Sequence, residues 1–544
     1  MSKRTDARPR LGVLRSRLAL SRAKHRSLAG HARIGKLLAR LLPYYEYDAR
    51  EFLRADGCPE AIAAQRQVGL AELSLRLSEK APKTLELSEE LRSGFSDLEF
   101  TDLYRVPYPF RAELRRHLRV GALREASDGV RLRDLDGNWS YDLTGSYGVN
   151  VLGLDFYKEC IDRAAERVRA LGPVLGPLHP VVLDNVRRLK EISGLDEVSF
   201  HMSGTEAVMQ AVALARYHTR RSHLVRFCGA YHGWWDGVQP GVGNPRDVRD
   251  VYTLSEGSEA ALRVLDTRSD IACVLVNPLQ ALHPNAPAPG DSTLFCSARR
   301  AHYDKAAYAA WLARLRDVCT RRGIALILDE VFLGFRVARR GVQEYFGVSA
   351  DLVTYGKTLG GGLPVGVVCG RREWMKRYRE DRPSDVLFAR GTFNAHPYVM
   401  AAMNEFLSHL DRPEVRESYA DLDARWNARA SELNSRLERR GLPVRFANLT
   451  SVWTTLYRTP SRYNWMFQFY LRAEGLTLSW VGSGRLIFSH AYRDEDFREV
   501  ADRTLRAAEK MAADGWWWGD GSQSDAGIEQ SVLWRALVTR ARGR

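Results

Sequence analysis

After about residue 104, short β-branched or aliphatic runs alternate with long stretches of helical periodicity, and this rhythm leaves the chain few architectures. His223–Phe227, Ala272–Asn277, Ala325–Leu328 and Leu352–Tyr355 have the length of buried strands, whereas Glu206–His218 and Ala306–Arg321 repeat apolar residues at helical spacing. Strand, helix and strand in succession make a parallel βαβ unit, so the expected class is α/β with a mostly parallel sheet. Gly/Pro punctuation at Pro284–Gly290 and Gly360–Pro364 marks loops at strand ends, where such sheets place their ligands.

The 544 residues suffice for two or three domains, and 45% apolar with 27% charged residues is a globular balance. No run of about 18 uncharged apolar residues is present, so no transmembrane helix is expected. Seven scattered cysteines without a CxxC pair argue against a disulfide framework and a thiolate zinc site, and fit a reducing, cytoplasmic setting.

Charge is uneven. Residues 1–40 hold twelve Lys/Arg against the single acid Asp6, a balance of +11 out of the chain's +15. The remaining body is nearly neutral and lacks the clustered cations of a nucleic-acid surface. Within the arm, Leu11, Leu14 and Leu18, then Ile34, Leu37, Leu38 and Leu41, recur at helical spacing ahead of Pro43. Basic amphipathic helices of this kind serve as solvated accessory elements, as docking sites for an acidic protein or anionic lipid, or as part of an organellar transit peptide. Ala61–Leu77 has helical spacing, and the polar stretch Ser78–Ser96 reads as a connector. Trp516, Trp517 and Trp518 open a tail expected to pack on the body.

Four patterns carry chemistry. Ser203-Gly204-Thr205-Glu206 follows the strand-like Glu197–His201 and opens a helix, which makes either a phosphate seat or a capping box. Leu326-Ile327-Leu328-Asp329-Glu330-Val331 is an apolar strand ending in acids, suited to holding a cation or capping a turn. Leu352-Val353-Thr354-Tyr355-Gly356-Lys357 delivers a lysine just before three glycines, as a surface cation or as an amine for Schiff-base formation. Gly391-Thr392 offers donors to an anion. His232 has no second ligand at metal spacing and is expected to orient its loop; no metal site is expected.

Taken together, Asp329 to Arg336, Asp351-Leu352, Gly356-Lys357 and Gly360-Gly361-Gly362, with 28 residues from Asp329 to Lys357, resemble the signature of class III pyridoxal-phosphate-dependent aminotransferases. Ser203-Gly204-Thr205-Glu206-Ala207, Tyr231-His232-Gly233 and Gly391-Thr392 match further family motifs in order, over roughly residues 104–510. Gln343–Val348, Gly361–Gly366, and Asp136-Gly137-Asn138 leading to Ser146-Tyr147-Gly148 are similar to glutamate-1-semialdehyde 2,1-aminomutase.

The resemblance implies a fold-type I transferase, with a large domain built on a mostly parallel seven-stranded sheet flanked by helices and a small α+β domain. The implied boundaries are 1–100 for a basic helical extension and connector, 101–150 and 396–510 for the two parts of the small domain, 151–395 for the large pyridoxal-phosphate domain, and 511–544 for the tail. It implies that Lys357 holds pyridoxal 5'-phosphate as an aldimine and shuttles a proton, and that Asp329 pairs with the ring nitrogen. Tyr231 and Val331 would cover the two ring faces, Gln280 would face the ring hydroxyl, and Ser203, Gly204 and Thr205 would seat the phosphate. Thr392 would reach in from a second subunit, so a homodimer is implied. Arg111 and Tyr147 are the substrate candidates; Arg111 equally reads as an exposed helix arginine, and Tyr147 and Trp234 as core aromatics.

Departures from the aminomutase pattern are Asn277-Pro278-Leu279-Gln280 in place of Glu-Pro, the Pro-rich segment His283–Gly290, and Gly482-Ser483-Gly484 followed by Ser489-His490-Ala491. The expected activity is amino-group transfer between an amino-acid donor and an aldehyde or keto acceptor. Internal transfer within glutamate semialdehyde is the alternative, as is a transaminase whose basic arm docks an acidic carrier protein.

Overall fold

The computed structural model describes residues 8–26, 30–41, 43–98, 100, 106–283, 285, 301, 303–479 and 484–542. The segment 286–290, residues 482 and 483, and Cys296 lie outside the described residues. Two compact units divide the chain. One comprises Met1–Ala39, Glu159–Ala286 and Tyr303–Ala420; the other comprises Arg40–Lys158, Pro287–His302 and Asp421–Arg544. The basic extension read over 1–100 is thus shared between them.

The first unit is built on seven strands: β1 (Glu197–His201), β2 (His223–Phe227), β3 (Val251–Leu254), β4 (Ile271–Val276), β5 (Ala325–Asp329), β6 (Leu352–Gly356) and β7 (Gly366–Gly370), in spatial order β1-β7-β6-β5-β4-β2-β3. Pairings β5–β6, β4–β5, β2–β4 and β2–β3 are parallel; β7 runs antiparallel between β1 and β6. Every residue of β4, β5, β6 and β7 is buried, as expected of central strands covered on both faces.

Six helices of this unit matter below: α1 (Arg8–Ala23), α2 (Ala32–Leu41), α3 (Gly204–Thr219), α4 (Glu259–Thr267), α5 (Lys305–Arg322) and α6 (Pro397–His409). Helix α3 lays Ala207, Val208, Ala211, Val212 and Ala215 against Leu224, Leu275, Ile327 and Val368 of the sheet. Its small residues allow close approach, which fixes the α3 N-terminus against the sheet.

The basic arm is held to the same unit. Helix α1 packs against α4, the Ser255 amide donates to the Ala23 carbonyl at 2.8 Å, and Arg268 donates to Ser16 Oγ at 3.2 Å. In α2, Arg33 pairs with Asp247 at 3.0 Å and Lys36 donates to the Arg246 carbonyl at 2.6 Å, while Ile34, Leu37 and Leu38 remain exposed.

The second unit is α+β. It contains a four-stranded sheet (Ala126–Asp128, Arg131–Arg133, Trp139–Asp142, Leu476–Thr477), a three-stranded sheet (Val444–Leu449, Val452–Tyr457, Arg485–Ile487) and long helices including Glu60–Lys80 and Asp494–Ala513. The stretch read as a connector is instead largely a helix, Pro82–Gly94, with Pro at its start and Thr84, Leu85 and Ser88 buried. Its first turn is capped from afar: Asp136 accepts from the Lys83 and Thr84 amides at 2.9 and 2.8 Å and from Thr84 Oγ1 at 2.6 Å. The Trp tail packs as expected, with Trp516 buried and donating to Tyr470 Oη at 2.8 Å. Among the described residues no helix is long and apolar enough to cross a membrane, and the six described cysteines are buried.

Candidate active site

Strand order brings the carboxyl ends of β1, β2, β4, β5 and β6 to one edge, and the candidate residues of the first unit, Thr392 apart, follow from those ends. Asp329 closes β5 and is paired in register with Thr354 of β6, three residues before Lys357. Parallel neighbours lie about 4.8 Å apart, so the acid and the lysine leave adjacent strands side by side.

Asp329 is buried. Its Oδ2 lies 2.7 Å from His232 Nδ1, and its Oδ1 accepts from the Val331 amide at 3.2 Å and from Thr354 Oγ1 at 3.4 Å. No lysine or arginine stands within ion-pair distance of it among the described residues. Burial lowers the pKa of His232 despite the attached carboxylate.

Lys357 begins a short turn with a φ of 49°, in the left-handed region that a non-glycine residue enters at a cost. Its Nζ has no hydrogen-bond or ion-pair partner among the described residues and lies 5.8 Å from the centroid of the Phe332 ring. Burial lowers its pKa; Asp329 opposes that shift and Arg336 adds to it. The arrangement therefore holds an amine biased toward its neutral form beside a carboxylate, a pairing suited to nucleophilic attack and proton transfer.

Gly204 and Thr205 begin α3. A Cβ at Gly204 would stand 2.6 Å from Val331 Cγ1, and one at Gly233 would stand 2.5 Å from Thr205 Oγ1. Val331, Gly204, Thr205 and Gly233 therefore adjoin one another. Ser203 serves as the N-cap: its Oγ accepts from the Glu206 amide at 3.2 Å, and Glu206 reaches back to the Met202 amide at 2.9 Å. The capping reading of this motif thus holds for Ser203, while the first amides of α3 keep the partial positive charge of a helix start.

Tyr231 has an exposed ring, and its carbonyl accepts from Asn277 Nδ2 at 2.8 Å. Gln280 is buried: Nε2 donates to the Gly229 carbonyl at 2.7 Å, and Oε1 has no partner among the described residues. Thr392 is exposed in the loop ahead of α6 and makes no hydrogen bond to these residues. Arg111 and Tyr147 belong to the second unit. Arg111 starts the helix Arg111–His117 and donates from Nε to the Val106 carbonyl at 3.0 Å. Tyr147 is exposed with φ 56°, next to Ser146 with φ 45°. Two consecutive non-glycine residues in that region are unusual.

Sequence reasoning assigned His232 to its loop and passed over Arg226, Asn277 and Phe332. Only the position of His232 beside Tyr231 hinted at its part in the site; nothing local pointed to Asp329 as its partner.

The Aminotransferase class-III family model matches residues 115–239 and 304–502. Glutamate-1-semialdehyde 2,1-aminomutase of Geotalea daltonii is 30% identical over 416 residues, covering 71% of this chain and 90% of that protein. The protein of that name from Nitratidesulfovibrio vulgaris is 32% identical over 391 residues, covering 69% and 89%. Among solved structures, a glutamate-1-semialdehyde aminomutase from Pseudomonas aeruginosa aligns with a TM-score of 0.65 at 20% identity, over 83% of this chain and 99% of that one. A β-phenylalanine aminotransferase from Variovorax paradoxus aligns with a TM-score of 0.64 at 23% identity, over 82% and 98%.

Fold and family match together define a fold-type I pyridoxal-phosphate enzyme. The chain belongs to the class III aminotransferase family, and pyridoxal 5'-phosphate is its cofactor.

The residues present fit that group. Asp329 is a buried carboxylate with no lysine or arginine on it among the described residues, a situation that calls for a cation. Gln280 Oε1 is a buried acceptor awaiting a donor. The start of α3 offers amides to a phosphate, with only glycine tolerated beside Val331.

Proposed function

We propose that this enzyme moves an amino group between an amino-acid donor and an aldehyde or keto acceptor, with Lys357 as the amine that binds the cofactor covalently and Asp329 as the counter-charge of the ring nitrogen. One observation carries the reading: an unpartnered amine with lowered proton affinity leaves one strand beside a buried carboxylate that closes the next. When bound, pyridoxal phosphate supplies a carbonyl carbon for amines and a conjugated ring that takes up the electron pair left at Cα.

The chain's own groups do the rest. Lys357 Nζ must be unprotonated to attack a carbonyl and to accept the Cα proton, and burial with Arg336 nearby favours that state. Asp329, held by His232 and the Val331 amide, presents its carboxylate to a cationic nitrogen. Gly204 and Thr205 hold the phosphate, Tyr231 and Val331 flank the ring, and Gln280 meets its hydroxyl. Arg111 and Tyr147 are assigned to substrate. Thr392 acts on a second subunit's site in a homodimer; the exposure of Phe388 and Phe393, large apolar side chains on either side of it in sequence, supports such an interface. The six described cysteines, all buried, accord with a cytoplasmic enzyme.

Internal transfer within glutamate semialdehyde is the second reading, favoured by the names of the two relatives at 30% and 32% identity. A donor test separates the two. With a transaminase, a single amine bleaches the cofactor's visible band once and stops until a carbonyl acceptor is added. An aminomutase turns over one compound with no added amine.

Docking of an acidic carrier at the arm is supported by the exposed Arg17, Arg22 and Arg26 on and just after a helix that is otherwise packed on the body. Reversing these three charges to Glu should leave turnover of free substrate intact and abolish turnover of a carrier-bound one. Loss of neither rejects docking.

A further inference from the structure

The loop that follows β2 is held by its carbonyls. Gly229 O accepts from Gln280 Nε2 at 2.7 Å, Ala230 O from Arg226 Nη2 at 2.5 Å, and Tyr231 O from Asn277 Nδ2 at 2.8 Å. Surface loops ordinarily give such carbonyls to water. Here three consecutive ones are taken by side chains from β2 and from the turn after β4. Asn277 is itself fixed, because its Oδ1 accepts from the Leu279 amide at 3.2 Å.

The residue after the third carbonyl is His232. Its side chain is fully buried, Nδ1 faces Asp329 Oδ2 at 2.7 Å, and Nε2 is buried without a partner among the described residues. An ionised carboxylate only accepts, so Nδ1 carries the hydrogen. A second proton on Nε2 would be a buried donor with nothing to receive it, a state that costs free energy. His232 is therefore a neutral donor that steadies Asp329 without cancelling its charge. Burial acts on the imidazole in the same sense; Asp329 opposes it, and the positive charge of Arg226 adds to it more weakly.

We propose that Arg226 and Asn277 are positioning residues: by clamping the 229–231 carbonyls they set the reach of His232 to Asp329, and so the orientation of the carboxylate that serves the cofactor's ring nitrogen. The proposal rests on that role of Asp329. It assigns a function to two residues that touch neither the lysine nor the phosphate seat.

The test compares Asn277→Asp, Arg226→Met, Arg226→Lys and the Asn277→Asp/Arg226→Met pair. Asn277→Asp keeps the acceptor for Leu279 but turns an oxygen toward Tyr231 O. Cofactor affinity is read by titrating apoenzyme with pyridoxal phosphate, alongside apoenzyme Tm, kcat, KM and the pH midpoint of the bound cofactor's visible band. Each single loss should weaken cofactor binding and kcat on the order of tenfold, the scale of one buried hydrogen bond left unmade. The band's midpoint should move, with KM and apoenzyme Tm little changed. Arg226→Lys, which restores a donor and the charge, should recover part of the loss, and the double variant should be less impaired than the sum of the singles. Unchanged affinity and band midpoint in Asn277→Asp and Arg226→Met would overturn the clamp, as would losses that merely follow apoenzyme Tm. An Asp329→Asn control isolates the premise: wild-type turnover there sinks the role of Asp329, whereas an impaired control with normal clamp variants sinks the clamp alone.

Discussion

His232 Nδ1 lies 2.7 Å from Asp329 Oδ2, across 97 residues of sequence, with both side chains closed to solvent. The pair sets the chemistry of the strand edge, because the histidine orients the carboxylate while leaving its charge to be used by something else.

Replacing Asp329 with Asn keeps the shape and removes that charge. Cofactor should bind more weakly and still saturate, while kcat falls about a hundredfold or more, the usual scale for losing a preorganised charge at a reacting centre. Steady-state kinetics on cofactor-saturated enzyme check this; an unchanged kcat rejects the ion-pair role.

Lys357→Ala should abolish turnover and covalent attachment. Borohydride reduction followed by mass spectrometry should fix the cofactor's mass on the wild-type chain and not on the variant. Retained mass on the variant would move the attachment to another amine.

Lys357 also makes a stability prediction. Burial depresses its pKa, so the folded state binds fewer protons than the unfolded chain below the ordinary value of 10.5, and apoenzyme stability rises with pH up to that value. Lys357→Met removes this dependence. Its apoenzyme Tm should exceed that of the wild type at pH 7, with the gap closing toward pH 10.5.

Glu330 behaves oppositely. Burial pushes its carboxyl up to about 8, although Oε2 accepts the Val342 amide at 2.7 Å and caps the helix Val342–Phe346. The folded state holds the proton longer, so this contribution is complete below pH 4.5 and is lost as pH rises toward 8. Glu330→Gln keeps the acceptor and should raise Tm at pH 8 while leaving it unchanged at pH 4.5. Equal shifts at both values would show that the group does not titrate there.

Gly204→Ala should weaken cofactor binding about tenfold, because the new methyl meets Val331 Cγ1 at 2.6 Å and one of them must move. Val331→Ala in the same chain opens that space. If affinity measured by apoenzyme titration fails to recover in the double variant, the crowding does not lie between these two residues.

Much of this was legible beforehand. The strand runs ending at Asp329 and Gly356 are continuous apolar sequences, and their burial on both faces leaves no other use for them. The lysine and acid stood out because a charge at the end of such a run is anomalous. The helix Pro82–Gly94 was missed because its apolar face is slight, and its first turn depends on Asp136, about fifty residues on. Ser203 was ambiguous in sequence since one hydroxyl serves a cap or an anion equally well; the 3.2 Å bond from the Glu206 amide shows the cap and leaves the hydroxyl's own proton for an anion.

By itself the sequence determined the α/β alternation, the family signature and the residue types delivered to the strand ends, because hydrophobic periodicity and local spacing act within a few residues. Only tertiary structure decided who pairs with whom: that Asp329 meets His232, that Gln280 turns its amide to Gly229, and that α2 holds the body with its cations while its leucines face outward. The reason is physical. A buried polar group must find a partner, and which partner lies in reach is set by strand order and loop path, neither of which any short stretch of sequence contains.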